Sequence, residues 1–248
     1  MAKSTYSTPV SQVYGENSGN GFAIATTLAY GDIINTRKGF KGLQFYCAAA
    51  FKFLTTPRIA KVILYDASED KYIDFTSVAV DNDSNTEVQL GTMTTSDILY
   101  VGCVDIYLGL AVDVGTVNAV VTTFDEEYST ANGWTNLPSS ISDGTLNGGN
   151  VTLAQDGLYT WGLPTDWVPV SVNGSVPLYF TRFIPGATLT AGTSIDGLIT
   201  VNKGTDYVYF PAGMTQELNY DEDLVGGLQF LAAAGTPTVY VNHIYYKG

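Results

Sequence analysis

Ile59-Ala-Lys-Val-Ile-Leu-Tyr65 is a run of β-branched and aromatic residues closed by Asp66, and the chain is built from runs of this kind. Residues 98–104, 119–124, 176–183 and 239–246 share its character, with Gly, Asn, Asp or Pro between most of them. No segment of a dozen residues keeps a helical apolar period between caps. The Ala-rich pieces at 48–50 and 232–234 are too short to form helices alone. Short strands closely punctuated by turn signals predict an all-β protein, with two jelly-roll or β-sandwich domains behind an extended N-terminal arm.

The composition agrees. The chain has 248 residues, 45% of them hydrophobic, which is enough apolar material for a sizeable core. It carries 11 Lys and Arg against 24 Asp and Glu, a net charge of −13, which argues against nucleic acid as a partner. The charge is unevenly placed. Residues 72–181 hold 13 acidic groups and no Lys or Arg, whereas residues 37–71 hold seven basic groups against three acidic ones. This suggests a two-ended molecule, whose neutral or basic end docks while its acidic end faces solvent.

The N-terminus lacks the apolar segment of a secretory signal, and no apolar run is long enough to span a membrane. Cys47 and Cys103 sit in apolar strand-like segments and read as two buried thiols, with a disulfide left open. The sequons at Asn82, Asn150 and Asn173 read as chance in a Ser/Thr-rich chain. Residues 1–20 are polar, and a neighbouring subunit is the expected holder of this arm; a strand added to the chain's own sheet is the alternative.

The sequence also echoes itself. Gly42-Leu-Gln-Phe-Tyr-Cys-Ala-Ala-Ala50 returns as Gly227-Leu-Gln-Phe-Leu-Ala-Ala-Ala234, and each is followed by Thr-Pro, at Thr56 and at Thr236. We expect two related hairpins with a longer first loop, the second strands running over 56–65 and 236–245.

Few residues offer chemistry. The single histidine, His243, lies inside the last strand-like run, where a structural role is expected. No nucleophile elbow, P-loop or Cys-x-x-Cys is present. Asp125-Glu126-Glu127 and Asp221-Glu222-Asp223 are paired-carboxylate candidates by composition but read as solvated turns. Asp81-Asn-Asp-Ser-Asn85 opens like a calcium loop, yet its sixth and twelfth positions are Thr86 and Thr92, so a looser surface Ca²⁺ site is all it allows. Trp134, Trp161 and Trp167 suit a core or an interface, or else a sugar-stacking platform. Asp143-Gly144 and Asp156-Gly157 are expected to form left-handed turns, and Asp166-Trp167 after Pro164 a corner that closes a sandwich. Arg182 follows 110 residues without a basic side chain and should pair with a carboxylate of that stretch, one that locks the corner. No catalytic, cofactor-binding or metal-binding residue is assigned.

These marks fall in an ordered series. Asp113-Val-Gly-Thr-Val-Asn118, Glu127-Tyr128, Gly133-Trp134, Asp143-Gly-Thr145 and Thr152-Leu-Ala-Gln-Asp-Gly157 come first. Thr160-Trp161, Pro164-Thr-Asp-Trp167, Val172-Asn-Gly174 and Leu178-Tyr-Phe-Thr-Arg182 follow. Over roughly residues 96–200 the chain resembles a β-sandwich module that recurs in tailed-bacteriophage virion proteins, with Phe180 where that pattern often has Trp. The segment from Val208-Tyr-Phe-Pro-Ala-Gly213 onward is similar to a terminal domain of phage particle proteins.

The resemblance implies a non-enzymatic structural protein of the virion, a capsid decoration or cement protein on the capsid surface of particles assembled in the host cytoplasm. Its implied partners are the major capsid protein or other virion proteins and further copies of itself, as a trimer or lattice, without nucleic acid, membrane or cofactor. A receptor- or glycan-binding protein of a head or tail fibre is the second reading, and a polysaccharide hydrolase the third. The expected domains are an arm at 1–20, a shell-docking sandwich from 21–95 plus 202–248, and an inserted acidic sandwich at 96–201; tandem domains breaking near 115 are the alternative.

Overall fold

The computed structural model describes residues 5–9, 21–35, 42–81, 83–91, 93–202, 207–219 and 225–246. The chain is all-β and divides into two compact units, Met1–Arg58 with Asn202–Gly248, and Ile59–Val201.

The first unit is a sandwich of two antiparallel sheets. In one, β1 (Thr5–Pro9), β20 (Thr238–Tyr246), β4 (Gly42–Cys47) and β18 (Thr215–Asn219) lie side by side, and β2 (Gly21–Ala23) also pairs with β20. The other runs β17 (Val208–Phe210), β5 (Phe51–Pro57), β19 (Val225–Ala232) and β3 (Ile33–Asn35). Alternation along β4, β5 and β19 sends Phe45, Phe51, Phe53 and Phe230 inward. Phe45 meets the edges of Phe51 and Phe210 at 5.6 and 5.4 Å, a favoured aromatic geometry.

The second unit is a larger sandwich. One sheet is β13 (Ser142–Asp143), β14 (Gly157–Thr160), β10 (Gly109–Val114), β16 (Thr193–Val201) and β8 (Val88–Gly91). The facing sheet is β12 (Gly133–Asn136), β11 (Phe124–Thr130), β15 (Tyr179–Pro185), β9 (Ile98–Cys103), β6 (Ile59–Asp66) and β7 (Lys71–Asp74). Between them pack Val62, Leu99, Val101, Leu110, Val112 and Leu198, with the fully buried rings of Tyr107 and Trp161. A one-turn helix, α1 (Thr76–Ala79), adds Ala79 to this core.

Several expectations change against this frame. The inserted segment begins at Ile59, not at 96, because β6 pairs with β9 and β7 and carries residues 59–95 into the second sandwich. The echoed segments are not hairpins. Each crosses between the sheets of the first unit: β4 lies in one and β5 in the other, β19 in the second and β20 back in the first. β4 pairs with β20 and β5 with β19, so each copy's first strand pairs with the other copy's second. The second strand of the first copy is therefore β5, most of which the alignment on Thr-Pro hid inside a loop, and not residues 56–65.

Residues 5–9 form a strand on the chain's own sheet, the alternative to a neighbouring holder that the sequence left open. They pair with Asn242–Tyr246 of the chain's own β20, whose edge they cover. Residues 10–20 lie outside the described residues. Residues 119–123 are not a strand, since the Ala119 and Val120 amides donate to Thr190 Oγ1 and Asn118 Oδ1 instead of to a ladder. Gly144 and Gly157 do not have positive φ either; their backbones touch, and a Cβ on Gly157 would lie 2.3 Å from the Gly144 carbonyl oxygen. A left-handed turn does occur at Asn173-Gly174, with φ of 47° and 74° and a Ser175 N–H to Val172 C=O bond of 3.0 Å.

Candidate interaction surfaces

Charge divides by unit. The first unit has eight Lys and Arg against seven Asp and Glu, a net +1, whereas Ile59–Val201 has three against seventeen, a net −14.

On the near-neutral unit, Tyr240 and Tyr46 are directly opposite each other across β20 and β4. Their neighbours Phe45, Cys47, Val239 and Val241 take the core side, so strand alternation places these two tyrosines on the outer face. They are 46% and 38% exposed, with ring centroids 6.3 Å apart. Val208, Tyr209 and Met214 are exposed on the same unit. Cys47 is free and buried beneath this sheet, and Cys103 is free and buried in the other unit. His243 occupies β20 opposite Leu43 and Thr8.

On the acidic unit, the outer face of the six-stranded sheet carries one row across five strands. Glu127 is opposite Arg182, Arg182 opposite Tyr100, Tyr100 opposite Ile63, and Ile63 opposite Asp74. Arg182 pairs through Nε with Glu127, and its guanidinium lies over the Trp134 ring, 4.7 Å from the centroid. Burial raises the Tyr100 phenol above its usual pKa, while the nearby Arg182 opposes the shift. Residues 170–178 fold over the middle of the face, where Val172 and Leu178 pack with Ile63, Tyr100 and Phe180.

Beyond that cover the face opens at the β6–β7 hairpin. Tyr65 and Tyr72 are opposite each other with ring centroids 4.8 Å apart, and Tyr72 is 41% exposed. Tyr65 donates to Asp70 Oδ1 at 2.9 Å, which holds its phenolic proton and raises its pKa. Asp74, two residues beyond Tyr72 on β7, pairs with Lys61, four residues before Tyr65 on β6.

The acidic candidates are placed as follows. Asp125, Glu126 and Glu127 are not a turn but the middle of β11, held there by the Phe124–Glu126–Tyr128 alternation toward the core. Glu126 points between the sheets and accepts the Tyr159 hydroxyl from β14. Burial raises its carboxyl above the usual range, with the phenol partly offsetting this. Asp143 is spent on Thr145 N, Thr145 Oγ1 and Thr152 Oγ1 at 2.6–2.8 Å. Asp221-Glu222-Asp223 and Asn82 lie outside the described residues. Asp81 and Asp83 accept from their own loop at Asp83 N, Asn85 N and Thr86 Oγ1, and no acidic cluster able to hold a metal occurs among the described residues.

The corner forms without Arg182. The Trp167 indole N–H donates to the Phe180 carbonyl at 3.2 Å, and Asp166 accepts the Tyr128 hydroxyl at 2.6 Å. Trp161 and Trp167 are core residues, and Trp134 alone of the three lies on the outer face, at its edge strand. No helix among the described residues is long and apolar enough to cross a membrane. Neither a known family model nor a curated protein matches the chain.

Proposed function

We propose that the protein is a non-enzymatic structural protein of a tailed-phage virion, a capsid decoration or cement protein that docks through its near-neutral sandwich. The observation that carries this reading is the Tyr46–Tyr240 pair, two exposed rings side by side on the unit with a net charge of +1. Exposed tyrosine on a weakly charged surface is the composition of a protein–protein contact. The −14 on the other unit favours solvent and keeps decorated particles apart. The phage setting rests on the sequence resemblance over residues 96–200. Copies arranged as a trimer or lattice on the major capsid protein would multiply weak contacts into avidity.

The test is addition of purified protein to shells that lack it, followed by sedimentation and calorimetry of the shells. The protein should co-sediment and raise the shell melting temperature, and the double variant Tyr46→Ser, Tyr240→Ser should do neither while keeping its own melting curve. Shells that neither bind the wild-type protein nor change in stability would count against this function.

A further inference from the structure

We propose that the open end of the six-stranded sheet in the acidic unit, around Tyr65 and Tyr72, is a binding site for a neutral glycan. This is independent of the docking reading, since it uses the other unit. The C–H face of a pyranose ring is apolar while its rim carries hydroxyls, so a site for it needs aromatic surface bordered by fixed hydrogen-bonding groups. The β6–β7 hairpin supplies both. Its register sets the half-buried Tyr65 beside the exposed Tyr72, their rings adjoining as one aromatic strip.

The bordering groups are fixed before any ligand arrives. Asp70 holds the Tyr65 hydroxyl, and Lys61 and Asp74 hold each other. Each retains capacity toward a sugar: a carboxylate has spare lone pairs for hydroxyl protons, and an ammonium has further N–H donors. Toward the middle of the face the strip ends where Tyr100 is buried beneath Val172 and Leu178, so that residues 170–178 bound it on that side.

Charge selects the class of glycan. A unit with a net charge of −14 repels sulfated, phosphorylated or uronic-acid polymers, and the acidic groups Asp70 and Asp74 border the strip itself. A protein partner is disfavoured because the strip is short and its polar border is already paired, whereas a hydroxyl ligand adds to those pairs without breaking them.

Affinity electrophoresis of the full chain tests this in native gels containing dextran, mannan, galactomannan or arabinogalactan, with heparin as the anionic control. At least one neutral polymer should retard the protein, and heparin should not. Tyr72→Ala should weaken that retention at least tenfold, and Tyr72→Phe, which keeps the ring, should preserve it. Lys61→Gln, an independent lesion at the border, should weaken it at least threefold. Tyr240→Ala, on the docking unit, should leave it unchanged. Passage through all four neutral gels without retardation, retention in heparin alone, or retention unmoved by both Tyr72→Ala and Lys61→Gln would overturn the proposal.

Discussion

Arg182 and Glu127 face each other directly across β15 and β11, and the guanidinium that pairs with the carboxylate also rests on the Trp134 ring. Both side chains are about four-fifths covered. Arg182→Ala removes the carboxylate's cation and the cover of the indole together, and should lower stability by about 1–3 kcal/mol. Arg182→Lys should recover only part of this, because an ammonium does not lie flat on a ring as a guanidinium does. Calorimetric melting of the two variants checks the order; an Arg182→Ala curve that superimposes on the wild type would show that the pair contributes nothing.

Glu126 and Tyr159 join the two sheets of the acidic unit from the inside. Because burial raises the Glu126 carboxyl, the folded chain binds that proton more tightly than the unfolded chain does. Its contribution to stability is therefore greatest below the unfolded pKa and declines as pH rises through the folded value. Glu126→Gln should flatten that part of the profile. Tyr159→Phe removes the donor that favours the anion, so it should steepen the decline and cost about 1–3 kcal/mol at neutral pH. Denaturant titrations between about pH 4 and pH 8 measure both effects.

The strands are legible where β-branched and aromatic residues dominate a short run, as in Ile59–Asp66, Ile98–Cys103 and Thr238–Tyr246. They are hidden where polar residues alternate with core residues. Phe51-Lys-Phe53 has the period of a half-buried strand, but the neighbouring Thr-Pro made it look like loop. Asp125-Glu-Glu127 looked like a solvated turn, because its strand character resides in Phe124 and Tyr128 on either side. The surfaces were less legible still. Composition treats Trp134, Trp161 and Trp167 alike, and only the sheet order puts Trp134 on an outer edge strand. The Tyr65–Tyr72 pair depends on hairpin register, which a slip of one residue would abolish.

Asp32 gives the near-neutral unit a pH dependence of the same sign. It is buried at the end of a short 3₁₀ turn, Tyr30–Asp32, where its carboxylate accepts the Ala29 amide at 2.8 Å. Burial lifts its pKa to about 6, against the hydrogen bonds from Ala29 and Ala25. Folding therefore binds a proton between the unfolded value and about 6, and stability falls as pH rises across that window. Asp32→Asn keeps an acceptor for Ala29 and deletes the charge. It should remove the slope and stabilise the unit at neutral pH by about 1–2 kcal/mol, allowing for residual solvent screening. Equal slopes in wild type and variant would place the titration elsewhere.

Gly102 shows why a glycine can be required in a strand without any unusual backbone angle. It stands opposite Phe180 across β9 and β15, and the Phe180 ring lies over it, so that an added Cβ would come within 2.4 Å of ring carbons. The ring has little room to yield, being fully buried among Val172, Leu178 and Tyr100. Its own carbonyl is also fixed by the Trp167 indole. Gly102→Ala should cost about 1–3 kcal/mol by overpacking. Phe180→Leu alone should cost a similar amount by leaving a void. The two together should cost less than their sum, since the smaller side chain admits the new methyl group. Strict additivity in melting experiments would mean that the ring moves aside and that the close approach is not what holds this face together.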